Sequence, residues 1–270
     1  MAKLSKAELA AHRAAVQLLE RGNLTLDERE QIYADWHEGA GGDQTAASAY
    51  FTPLDLANDM VFEMPSHGSF VDLCAGTGRL AYFAGGQHRF EPHQYSRIVC
   101  VERNPAFVAV GKQLLPQAEW ICGDALDPAV IRQIGRVDVA ICNPPFGTIT
   151  RSDFTAPRYK GKRIDLAVMD VAATVAPECW AIVPENVAPW DRRGDRRESP
   201  HADAFTKATG LQLYRFASVE PNYYRDQWRG TAPAIEIVGF GEQYEAERRS
   251  FRTIHEHAPP SGEPMQLELI

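Results

Sequence analysis

SFVDLCAGTGRL, residues 69–80, is the stretch on which the fold turns. A run of apolar residues leads into two glycines, Gly76 and Gly78, and apolar residues resume at Leu80. That order reads as a strand, a tight turn and the start of a helix. The glycines permit the turn and let backbone come close to a ligand, although a GxG alone also suits an ordinary strand-to-helix turn. Most of the run is apolar rather than alternating, as expected of a strand covered on both faces. Six more runs of β-rich character lie further along, at 97–102, 119–123, 137–143, 179–185, 213–219 and 232–240. Helical patterns fall between them near 54–63, 79–84, 105–114, 164–175 and 201–209. Seven strands with interleaved helices predict an α/β fold built on a doubly wound sheet. Such sheets bind ligands beyond the carboxyl ends of the strands, where strand order reverses.

The rest of the chain frames this sheet. Its 270 residues suit one large α/β domain with small appendages. Residues 1–45 read as a helical N-terminal extension, with Ser5/Glu8 and Thr25/Glu28 spaced as capping boxes and GAGGDQ (39–44) as a linker. Residues 46–242 hold the sheet, and 243–270 form a polar tail. Glu8, His12 and Arg13 interrupt the apolar residues near the start, so no signal peptide is read there, and no stretch approaches the length of a membrane span. The five cysteines, Cys74, Cys100, Cys122, Cys142 and Cys179, are widely spaced with no CxxC pair. The expectation is a cytoplasmic protein with no metal site and no membrane partner. A net charge of −8 argues against a uniformly basic nucleic-acid coat and leaves room for a local basic surface.

Chemistry is expected at the strand ends. Asp72 stands inside the first strand, Glu102 ends the second in VCVERNP, and Asp124 follows the third in CGDA. Each acid alone suits a helix cap, Asp124 above all. At successive strand ends they suit a nucleoside: Glu102 to accept from ribose hydroxyls, Asp124 from an exocyclic adenine amine. DLCAGTG lacks the GxGxxG fingerprint, so a pyrophosphate cradle is not indicated. The fourth strand runs into VDVAICNPPFGT, residues 137–148. Two prolines there end a strand in any case. Their asparagine, phenylalanine and glycine neighbours suit a segment that holds an amino group while it is alkylated.

The glycine turn resembles the first motif of the class I S-adenosylmethionine-dependent methyltransferases. The likeness continues in order, with VERNP as second motif, GDA as third and NPPF as fourth, over roughly residues 46–240. It implies a seven-stranded Rossmann-like sheet with an antiparallel last strand. It implies S-adenosyl-L-methionine as cofactor, held by Asp72, Cys74, Ala75, Gly76, Gly78, Glu102, Arg103, Asp124, Ala125 and Asn143. In ASAYFTPLDLANDMV (47–61), Phe51, Thr52 and Pro53 resemble the tenth motif of N6-adenine DNA methyltransferases of the γ arrangement, which encloses the methionine end of the cofactor. Thr52 and Pro53 also suit a helix start, and a cap can line a pocket.

By the same resemblance Asn143, Pro144, Pro145 and Phe146 are catalytic. An adenine amine donates its lone pair into the ring and is a poor nucleophile. The Asn143 side-chain oxygen and Pro144 carbonyl can accept its hydrogens and draw the nitrogen toward tetrahedral geometry. The prolines fix where those acceptors point, and Phe146 can stack on the base. NPPF is shared by enzymes acting on adenine, on guanine in ribosomal RNA and on glutamine in protein. The tenth motif favours adenine in double-stranded DNA, flipped out of the helix. An RNA adenine methyltransferase is the alternative, and a catalytically silent binding protein is the reading from another class.

Two loops are locally basic. RSDFTAPRYKGKR (151–163) offers Arg151, Arg158, Lys160, Lys162 and Arg163 for phosphate contact, with Phe154 and Tyr159 beside them. DRRGDRRE (191–198) nearly neutralises itself. Tyr223, Tyr224 and Trp228 in EPNYYRDQWRG (220–230) are candidates for a second wall of the base pocket, or simply for packing. Only about 30 residues follow Phe240, too few for a large target-recognition domain. That suggests relaxed sequence specificity, of the kind found on phages and mobile elements.

Overall fold

The computed structural model describes residues 4–37, 51–60, 67–84, 94–148, 152–191, 193–215, 219–228 and 232–244. Its seven strands are β1 (His67–Leu73), β2 (Gln94–Glu102), β3 (Glu119–Cys122), β4 (Val139–Cys142), β5 (Glu178–Pro184), β6 (Tyr214–Arg215) and β7 (Ile235–Phe240). They form one sheet in the order β3-β2-β1-β4-β5-β7-β6. β1 to β5 run parallel, while β7 pairs antiparallel with both β5 and β6. Strand order reverses between β1 and β4, and register brings their ends level: Leu73 pairs with Cys142 and Glu102 with Cys122.

The helices are α1 (Lys6–Arg21), α2 (Leu26–Asp35), α3 (Leu54–Met60), α4 (Arg79–Ala84), α5 (Pro105–Leu114), α6 (Pro128–Ile134), α7 (Ile164–Val175) and α8 (Pro200–Thr209). Both expected capping boxes form, Ser5 with Glu8 and Thr25 with Glu28. Asn104 and Asp127 cap α5 and α6 from their side chains, each followed by proline. The strands divide their side chains between two cores. Val99 and Val101 join the layer of α6, α7 and α8, whereas Ile98 and Cys100 join the opposite one. That second core includes Ala15, Ile32 and Tyr33 from α1 and α2, together with Leu56, Phe70 and Tyr82. The N-terminal helices are therefore built into the sheet's hydrophobic layer.

Several elements depart from expectation. The run 213–219 yields a strand of two residues, with 216–218 outside the described set. Helix α6 was not anticipated, because seven residues are too few for a helical period to stand out. α3 ends at Met60, and 61–63 are outside the described residues, as are the GAGGDQ linker and the tail beyond Tyr244.

Candidate active site

A cavity of about 320 Å³ opens at the reversal point, a volume suited to a small-molecule ligand. The β1 turn lines it through Asp72, Cys74, Ala75 and Gly76, and the β2 end through Glu102 and Arg103. The β3 end adds Asp124 and Ala125, the β4 end Asn143 and Pro145, and the segment before α3 adds Phe51 and Thr52. Pro53, Gly78, Pro144 and Phe146 are not in the lining.

The turn is shaped by backbone that ordinary residues avoid. Cys74 and Gly76 have φ of 66° and 59°, and a Cβ on Gly76 would fall 3.0 Å from Phe51 Cε1. Gly76 thus lets the Phe51 ring approach the turn. Gly78 serves packing instead, since a Cβ there would lie 3.1 Å from the Trp120 ring. Phe51 in turn meets Phe107 of α5 nearly edge-on at 5.3 Å.

The three acids differ in what they already hold. Glu102 accepts from the Gly76 N–H at 2.9 Å and the Asn104 N–H at 2.7 Å, one through each oxygen. Burial pushes its pKa up against the opposing effect of these bonds. Asp72 is buried; its Oδ2 accepts from the Ala81 N–H at 3.2 Å, and Oδ1 has no hydrogen-bond partner. Burial, with the charge of Glu102 as a lesser cause, holds the Asp72 carboxyl well above the usual range. Asp124 accepts from the Leu126 N–H at 2.9 Å, so it caps a turn and lines the cavity at once.

NPPFG is fastened at both ends. Asn143 Nδ2 donates to Thr52 Oγ1 at 3.0 Å, and Asn143 Oδ1 is shielded from solvent. At the other end the Gly147 N–H donates to Asp165 Oδ2 at 3.0 Å, while the Ile164 N–H donates to the Gly147 carbonyl at 2.8 Å. Asp165 is fully buried and gripped by Arg163 through both oxygens, at 3.0 and 2.5 Å. Pro144 is buried, and Phe146 packs half-buried against the core that contains α3.

Sequence reasoning missed Arg79, which also lines the cavity. Its Nη1 donates to the Thr52 carbonyl at 3.2 Å and its Nη2 to the Tyr33 carbonyl at 2.7 Å, and the guanidinium carbon lies 5.6 Å from the Phe51 ring centre. Tyr33 is buried and its hydroxyl donates toward the Thr77 and Gly78 carbonyls at 3.3 and 3.4 Å. A first helical residue reads as surface. The signal was a lone cation directly after the glycine turn. Phe107, Ile164 and Val168 also line the cavity and carry no sequence mark beyond being apolar.

The basic loop is largely engaged within the protein. Arg158 Nε donates to buried Asp170 at 2.7 Å, and the N–H groups of Arg158 and Tyr159 donate to the other Asp170 oxygen at 2.5 and 2.8 Å. Arg163 is held by Asp165, and Lys160 reaches the Ala156 carbonyl. Lys162 and Phe154 are exposed, Tyr159 is buried, and Arg151 lies outside the described residues. On the 3₁₀ helix Pro221–Gln227, Tyr223 is 82% exposed. Its neighbour Tyr224 is buried and donates to Asp59 at 2.5 Å, and Trp228 is buried too. Among the described residues no group of side chains is arranged to hold a metal, and no helix is long and apolar enough to cross a membrane.

No protein-family model matches the sequence, and no curated protein sequence matches it either. The structure is similar to a Listeria monocytogenes protein assigned to the class I S-adenosylmethionine-dependent methyltransferases, with TM-score 0.56, 14% identity and coverage of 93% of this chain and 74% of that one. It is also similar to the methyltransferase subunit of a type I restriction-modification system from Streptococcus thermophilus, with TM-score 0.52, 14% identity and coverage of 80% of this chain and 48% of that one. A further structure of a type I restriction-modification assembly matches with TM-score 0.53 and 16% identity, over 84% of this chain and 50% of that one. The chain thus spans about half the length of each restriction-modification chain. The fold is that of the class I methyltransferases.

Proposed function

We propose that the protein transfers the methyl group of S-adenosyl-L-methionine to the N6 amino group of adenine in DNA. The observation that carries this reading is the meeting, in one cavity, of the glycine turn, Glu102, Asp124 and Asn143 with Pro145. Glu102 has lone pairs beyond its two backbone bonds with which to accept from ribose hydroxyls. In this reading Asp124 accepts from an exocyclic amine, and Phe51 and Thr52, which line the same cavity, enclose the methionine end. Asn143 and the Pro144 carbonyl would take the target amine's hydrogens, turning its lone pair to the sulfonium methyl. Bound in this cavity, the cofactor would supply an electrophilic sulfonium methyl: the amine nitrogen would bond to it as the S–C bond breaks, and the amine would then give up a proton. The shielded Asn143 oxygen requires the carboxamide to turn for this capture. A hydroxyl both donates and accepts, so Thr52 can keep its bond through that turn.

The decisive experiment incubates the protein with methyl-labelled cofactor and, separately, unmethylated DNA, RNA and protein. Label recovered as N6-methyladenine in DNA is the expected result. Label confined to RNA or to glutamine would replace the substrate, and no transfer to any acceptor would refute the catalytic reading.

A further inference from the structure

We infer that Asp165, which lies outside the cavity lining, is a positioning residue for the transfer proposed above and acts through Gly147 on the NPPF segment. The role rests on that reading of Asn143 and Pro144 and adds to it the element that aims them. Gly147 closes the segment with φ of 73°, and a Cβ there would meet nothing within 4 Å. Glycine is needed at 147 for its backbone conformation, not for room. A turn of this kind is soft unless its polar groups are held. Both are taken by the first turn of α7. The Gly147 N–H donates to Asp165 Oδ2 at 3.0 Å, and the Gly147 carbonyl accepts from the Ile164 N–H at 2.8 Å. Ile164 and Val168 of the same helix line the cavity with Asn143 and Pro145. The helix that walls the cavity therefore also grips the exit of the segment that would capture the amine.

Asp165 is itself fixed. Its Oδ1 accepts from Arg163 Nε at 3.0 Å and from the Leu166 N–H at 2.9 Å, and its Oδ2 from Arg163 Nη2 at 2.5 Å. Behind this fork, Arg163 Nη1 lies 3.2 Å from His201 Nε2 on α8. A carboxylate held bidentately by a guanidinium keeps one orientation, and the backbone group it accepts from is preorganised with it. Asp170, on the same helix and equally buried, supplies a matched contrast. Its carboxylate accepts from Arg158 and Tyr159, in the middle of the loop. Two buried acids thus pin one loop at two places, and Asp165 is the one bonded to NPPFG.

Single-turnover methyl transfer and amide hydrogen exchange on the full chain separate the two. Every group bonded to either carboxylate is a donor, so the amide NH2 introduced by Asp165→Asn or Asp170→Asn opposes some of them. Asp165→Asn should slow transfer at saturating cofactor and acceptor by about 10- to 100-fold, the cost of a small misplacement of reacting groups. Cofactor Kd should stay within about threefold, since the lost restraint serves the transition state. Exchange in the peptide spanning 143–149 should quicken by about tenfold or more. Asp170→Asn should lower the unfolding midpoint to a similar degree, with transfer rate and that exchange close to the parent's. A parent-like rate in Asp165→Asn, or equal slowing in the two variants, would overturn the inference. If the parent transferred no methyl group to any acceptor, the methyl-transfer reading would fall, and the exchange difference alone would decide whether Asp165 holds the segment. Should Asp165→Asn not fold, Arg163→Lys keeps the charge and loses the fork. It should then slow transfer severalfold at unchanged cofactor Kd, and a parent-like rate in it would overturn the inference.

Discussion

The cavity at the strand ends and the basic stretch 152–163 with the helix α7 that follows it contain the same ingredients, buried carboxylates and arginines, in opposite states. Asp165 and Asp170 are saturated, each taking backbone N–H groups and an arginine. Asp72, equally buried, keeps one oxygen without a partner at the edge of open space. A saturated buried charge fixes structure. A buried carboxyl with capacity to spare, facing a cavity, marks a place where something binds.

The strongest way to break this contrast is to unsaturate the first kind. Asp165→Ala leaves the half-buried Arg163 without its carboxylate and frees the Gly147 N–H, so urea unfolding should show a loss of about 3–5 kcal/mol. A loss under about 1 kcal/mol would mean that the pair is ornamental. Asn143→Ala acts on the cavity side. Single-turnover methyl transfer should slow by about 100- to 1000-fold, as for other preorganised polar groups, with stability nearly unchanged. Unaltered turnover would remove Asn143 from the mechanism.

Glu102→Gln sharpens the comparison by keeping shape and removing charge. Cofactor affinity should fall by about 1.5–3 kcal/mol, the worth of charge-assisted hydrogen bonds. Since burial raises the Glu102 pKa, affinity in the parent should decline as the pH falls through that raised value, and the variant should not share the decline. The smallest effect expected belongs to the loop. Lys162→Ala should lower the salt slope of DNA binding by about 1, the share of one phosphate contact. Arg158→Ala should leave that slope alone and weaken the fold instead, because its guanidinium is held by Asp170.

What the sequence made legible follows the same division. Asp72, Glu102, Asp124 and Asn143 could be found because each is a polar residue beside an apolar strand, where position alone carries meaning. The engagement of Arg158 and Arg163 could not be found by counting loop charges. Its trace lay in α7, IDLAVMDVAATV, where two acids interrupt an otherwise apolar helix and so require buried partners. Arg79 was hidden for a different reason. Its partners are main-chain carbonyls, which every residue has, and their placement depends on the tertiary fold.

The hydroxyl of Tyr33 reaches the carbonyls of Thr77 and Gly78, so a brace from the first helical pair supports the rim of the opening. A shortened chain beginning at Phe51 would retain the seven described strands and the three acids of the cavity, yet would forfeit that brace along with the Tyr33 carbonyl beneath Arg79. The smallest working unit of this protein is accordingly larger than its sheet.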